Sequence, residues 1–89
     1  MVDREMPDVI FSHHAVIQMQ ERGAEDHEVI AAIREGDREP ARGNRVMYRK
    51  NFAFDKVWCK HRYGIKQVAP VVVEEHYGLV VVTVYVFYF

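Results

Sequence analysis

The spacing of apolar positions changes near the middle of the chain. From 12 to 23, "SHHAVIQMQERG", Ala15 and Met19 recur at a four-residue interval, and the run is bounded by a capping serine, Ser12, and a terminal glycine, Gly23. This predicts a helix of about three turns. A second helix is predicted over 25–35, with Glu25, Asp26 and Glu28 at its positive N-terminal end and Val29, Ala32 and Ile33 as the buried stripe. Gly36 ends it, and the charged, Pro- and Gly-containing segment 37–44, "DREPARGN", reads as an exposed loop. Beyond it the pattern becomes β-like. Residues 45–50 and 56–63 alternate, and 66–75 and 79–88 form two long apolar runs joined by the turn "HYG".

Pro70 lies within one of those runs and cannot donate to a ladder, so its strand is expected at a sheet edge or with a bulge there. Short links between successive strands favour an antiparallel meander. The expected architecture is α+β: two N-terminal helices packed on a three- to four-stranded antiparallel meander sheet. It forms one domain over 1–89, with a lead-in at 1–10, helices within 11–36, a loop at 37–44 and the sheet at 45–89.

Composition narrows the class. A chain of 89 residues, 49% hydrophobic and 28% charged, suits one core and not two. The start, "MVDREMPD", lacks the basic flank and apolar run of an export signal. The longest apolar run, 79–89, falls short of the roughly 20 residues of a membrane helix. Cys59 is the only cysteine, so no internal disulfide or multi-cysteine zinc site can form. A soluble cytoplasmic protein without a membrane partner is expected.

Net charge is −1, but it is unevenly distributed. Residues 34–66 hold ten Lys and Arg against four Asp and Glu. Such segregation either makes a basic surface for a phosphate-bearing partner or decorates solvated strand and loop faces.

Within the first helix, His14, Gln18 and Arg22 step by four along one ridge, while His13 points to solvent. A polar ridge beside a buried stripe touches both a core and a polar partner. Spacing alone leaves open whether that partner is the protein's own backbone, the helix dipole or a ligand.

The runs "SHHAVIQMQERG", "EVIAAIREG", "KQVAPVVVEE" and "VVVTVYVFYF" resemble a family of small bacterial proteins classed as a domain of unknown function. Its pattern is S-x-H-A-x-x-R-M-x-x-R-G in the first helix and V-x-T-V-Y in the last strand, and the likeness spans 11–88. That family is grouped by similarity with ribonuclease toxins of the RelE, barnase, EndoU and colicin kind, in which helices precede an antiparallel sheet. The resemblance implies that His14 is the family's helical histidine, Arg22 its second arginine, and Thr83 and Tyr85 its polar pair on the last strand. Gln18 departs from it, standing where the family carries its first arginine.

Metal-free RNA cleavage needs a base, an acid and cations around the phosphate. His14 is the candidate proton-transfer group, with Arg22, Thr83 and Tyr85 completing the expected catalytic set. Arg49, Lys60, Arg62 and Lys66 are the candidate phosphate- or RNA-binding cations. Tyr48, Trp58 and Tyr63 interleave with the basic positions, a pattern that suits base stacking and equally suits a sheet core. No zinc spacing, phosphate loop or nucleophile elbow occurs, and no cofactor is expected.

Two readings follow. One is a metal-independent RNA-cleaving toxin-like domain, with RNA and an antitoxin-like protein as partners. The other is a non-catalytic interaction module, dimerising or binding a protein through the uncharged C-terminal strand "VYVFYF".

Overall fold

A computed structural model describes residues 8–89. The first part of the expected lead-in, including most of the segment read for an export signal, lies outside the described residues. The elements run β1 (Val9–Phe11), α1 (His13–Arg22), α2 (Asp26–Glu35), β2 (Asp37–Pro40), β3 (Arg45–Trp58), β4 (His61–Glu75) and β5 (Gly78–Tyr88). They form one five-stranded sheet in the order β1-β5-β4-β3-β2, in which β1 lies parallel to β5 and every other pair is antiparallel.

The α+β class therefore holds, but the sheet is mixed and five-stranded, not a three- to four-stranded meander. β3 to β5 cover the residues of the expected meander. The extra strand, β1, is only three residues long and pairs Val9–Phe11 with Leu79–Val81. β2 replaces half of the expected loop. Its sequence, "DREP", is charged and ends in proline because it is an edge strand, where both features discourage further pairing. The alternating run 56–63 is not one strand, because a two-residue turn at Cys59 and Lys60, both at positive φ, divides it between β3 and β4.

Both helices carry the punctuation read from the sequence. The Ser12 hydroxyl accepts from Ala15 N–H, and Gly23 closes α1 at φ 81. Gly23 has no room for a side chain: a Cβ there would lie 2.7 Å from the Tyr88 hydroxyl and 2.9 Å from Trp58. Glu25 caps α2 in a capping box with Glu28. The helices lie on one face of the sheet, where Ala15, Met19, Val29 and Ile33 meet Val68, Val72, Val81 and Val84 in the core.

Pro70 is not on an edge strand, since β4 sits between β3 and β5. The β3–β4 pairs run from Met47–Val71 to Lys50–Val68 and skip Pro70, and the nearby bulge is on the neighbouring strand β5. The β4–β5 ladder shifts register between Val71 and Val72, leaving Val82 as an extra residue on β5. Strict alternation along 79–88 puts Val81 on one face with Thr83, Tyr85 and Phe87, and the bulge overturns that expectation. Val81 turns into the helix-side core, fully buried, while the other three face away from the helices.

Candidate functional site

The ridge of α1 works on the edge of β5. Where β1 stops pairing at Val81, α1 begins, and Ser12 N–H donates to the Val81 carbonyl at 3.0 Å. Val84 N–H then donates to Gln18 Oε1 at 2.9 Å, and an Arg22 guanidinium nitrogen donates to the Val84 carbonyl at 2.8 Å. Two side chains thus satisfy the backbone groups that a neighbouring strand would have paired. Of the strand read for dimerisation, 84–89, these bonds cover only Val84 on the side away from β4. His14, third on the ridge, is exposed in the first turn of α1, about 12 Å along the axis from Arg22.

Around the end of α1 the helix face is closed by aromatic rings. Tyr88 stacks on Trp58 with centroids 5.0 Å apart, tilts against Phe54 and Tyr63, and donates its hydroxyl to the Arg22 carbonyl at 2.7 Å. Burial, reinforced by the nearby Glu28 carboxylate and Cys59, raises the Tyr88 phenol to about 12. Lys66 is buried beneath it. Its ammonium sits 2.7 Å from Glu28 Oε1 and bonds the Gly23 carbonyl. The expected phosphate cation Lys66 is therefore turned inward, tying the α1–α2 junction to the sheet. Trp58 and Tyr63 belong to this packed cluster as well.

The opposite face of the sheet is uncovered by helices. Thr83, Tyr85 and Phe87 of β5 project from it, beside Ala69 and Val71 of β4 and Met47 and Arg49 of β3. The Tyr85 and Phe87 rings lie 17° from parallel with centroids 6.4 Å apart, and are 40% and 44% exposed. Each has its own guanidinium: Arg22 is 5.6 Å from the Tyr85 centroid and Arg49 is 5.7 Å from that of Phe87. Arg49 is held in place by Glu39 Oε2 at 3.1 Å and Gln67 Oε1 at 3.0 Å, and Gln67 in turn donates to Asn51.

At one end of this face lies a cavity of about 320 Å³ lined by Arg42, Arg45, Met47, Val71, Thr83 and Tyr85, with Ala41 at its margin. Arg42 lies in the β2–β3 turn and Arg45 opens β3. Ala41 N–H donates to the Arg45 carbonyl and Arg45 N–H to that of Arg42, while Gly43 takes φ 67 between them.

Of the residues singled out from the sequence, Arg22, Thr83, Tyr85 and Arg49 are brought to this face or its rim. Lys60 lies in the exposed β3–β4 turn, and Arg62 pairs with Asp55 at 3.2 Å near the same hairpin. His14 stays on the helix. Sequence reading passed over Arg42, Arg45, Met47 and Phe87 as site residues. The turn signal "ARGN" was legible, but that it lies beside β5 follows only from strand order. Among the described residues, no group of three or more His, Cys, Asp and Glu is arranged to hold a metal ion, and no helix is long and apolar enough to cross a membrane. Comparison with protein-family models, with curated proteins and with solved structures finds no match to this chain.

Proposed function

We propose that the protein binds single-stranded RNA on the open face of its sheet, as a small domain of the ribonuclease-toxin kind. The observation that carries this reading is the pairing of exposed, near-parallel rings with guanidiniums, Arg22 with Tyr85 and Arg49 with Phe87. Bases of single strands stack on such rings while cations follow the backbone. Three of the ten cations of residues 34–66, Arg42, Arg45 and Arg49, fall on this side and support the same choice.

Cleavage is the further step of the reading. It assigns proton transfer to His14, which stands in the first turn of α1 and not among the residues brought to the face, and gives Tyr85 and Thr83 hydroxyl contacts to the ribose or phosphate. Arg22 stabilises charge at the rim where α1 meets the face.

The test uses a labelled single-stranded RNA in chelator. Binding by the whole chain should weaken by about tenfold or more for Tyr85→Ala or Phe87→Ala, and fall steeply with salt. Product formation that disappears in His14→Ala would support the catalytic step. RNA affinity that is absent at low salt, or indifferent to both aromatic substitutions, would refute the binding reading.

A second reading is favoured by one observation: Tyr85, Phe87 and Phe89 are large, apolar and 40–58% exposed. A second copy of the chain covering them would make the protein a non-catalytic dimerisation module. A dimer mass in solution that reverts to monomer in Phe87→Ser would establish it.

A further inference from the structure

The cavity beside the β2–β3 turn has walls of different chemistry. By strand order Arg42 and Arg45 line one side, Tyr85 and Thr83 the other, and the apolar Met47 and Val71 lie between them. The lining crosses from β5 over β4 and β3 to the turn, three strand intervals or about 14 Å. Its volume, about 320 Å³, falls within the range of small-ligand sites.

Both arginines are exposed, and among the described residues neither forms an ion pair, unlike Arg49 of β3 and Arg62 of β4. The turn brings them together without help from a carboxylate. Val71, between the two sides, is nearly fully buried, and Tyr85 is fixed from its other side by Arg22 at the sheet rim.

We infer that this trough is a nucleotide subsite, taking the phosphate of one nucleotide on Arg42 and Arg45 and its base against Tyr85 over Met47 and Val71. The ligand class follows from the pairing of a doubly cationic end with an aromatic and apolar one. An anion alone has no use for the apolar residues and ring, and an apolar ligand alone leaves two guanidiniums idle. The polarity of the trough orients the ligand, phosphate toward the β2–β3 turn and base toward β5. The inference rests on the open-face RNA reading and gives that face a defined end.

The test is calorimetric titration of the whole chain with adenosine 5′-monophosphate, adenosine and inorganic phosphate, beside binding of a short labelled single-stranded RNA. The monophosphate should bind about tenfold or more tightly than adenosine. The double variant Arg42→Ala/Arg45→Ala should erase that difference. A charge-matched control, Arg34→Ala/Arg38→Ala, removes two cations from α2 and β2 outside the trough and should stay within about twofold of the parent.

Equal binding of monophosphate and adenosine, or inorganic phosphate binding as tightly as the monophosphate, would overturn the subsite. So would an effect of the control pair equal to that of Arg42→Ala/Arg45→Ala. RNA binding without mononucleotide binding would reject the subsite and leave the open-face reading standing. Mononucleotide binding without RNA binding would do the reverse.

Discussion

Val84 N–H donates to the side-chain oxygen of Gln18 across 66 residues of sequence, and the bond is buried. With Arg22 on the Val84 carbonyl it caps one residue of the stretch of β5 that β1 leaves uncovered. The ridge that suggested a catalytic surface is thus, over two of its three residues, the helix's way of completing a sheet. Gln18 supplies an acceptor where the strand presents a donor. An arginine at the same position carries five donors and no acceptor and could not make this bond.

The first prediction concerns that difference. Gln18→Ala leaves the Val84 N–H buried without a partner, and should cost about 1–3 kcal/mol. It would be read as a lower urea midpoint with an unchanged slope. Gln18→Arg, which restores the pattern of the family the helix resembles, should be at least as destabilising, because two donors then face each other. A Gln18→Arg protein as stable as the parent would show that Val84 finds another acceptor.

The contrast between α1 and β1 shows what was legible in the sequence. Ser12 and Gly23 act through bonds within a few residues of themselves, so the pattern around them was enough to place the helix ends. β1 has three residues, too few for a period, and exists because β5 offers it an edge. β2 was hidden for the opposite reason, since an edge strand is charged and looks like a loop. Pro70 misled: its strand is central, and the bulge nearby belongs to β5 and not to the strand that holds the proline. Among the candidate site residues, Tyr85 and Thr83 were correctly placed on one face by alternation. Val81 was not, because the extra residue Val82 inverts the alternation before it. The role of Lys66 depends on Glu28 from a distant helix, and one-dimensional spacing holds no trace of that pair.

Gly23 gives the second prediction. Gly23→Ala meets both a left-handed backbone at φ 81 and a collision with Tyr88 and Trp58. The two effects together should cost about 3 kcal/mol, lowering Tm by more than about 10 °C in a domain of this size. Gly43→Ala is the control, with φ 67 but nothing within 4 Å of the added Cβ. It should lose only the backbone part, about 1 kcal/mol. Equal losses at the two positions would mean that the rings around Gly23 yield freely.

The Lys66–Glu28 pair gives the third. Glu28→Gln keeps a residue able to complete the capping box but removes the charge opposite a buried ammonium, and should destabilise by about 3–5 kcal/mol. Lys66→Met strands the carboxylate instead. The double variant should be less destabilised than the sum of the two, because neither ion is then left alone. A double-mutant cycle in urea measures this coupling, and strictly additive losses would assign both effects to capping and packing.

The last prediction is a pH dependence. The Tyr88 phenol, normally near 10, is raised to about 12 chiefly by burial, with Glu28 and Cys59 adding to the cost of a negative charge. Its neutral hydroxyl donates to the Arg22 carbonyl, and a phenolate has no proton to donate. Because the folded value lies above the unfolded one, the unfolded chain releases this proton first as pH rises. The stabilisation is therefore fully present below about pH 10 and is lost progressively as pH rises from there toward 12. Tyr88→Phe removes both the bond and the ionisation. At neutral pH the parent should be more stable than Tyr88→Phe by about 0.5–1.5 kcal/mol, and near pH 11 this advantage should shrink. Phenolate absorbance in the folded state should show one fewer late-titrating tyrosine in the variant than in the parent. An advantage that stays constant across that interval would mean that Tyr88 ionises no later in the folded chain than in the unfolded one.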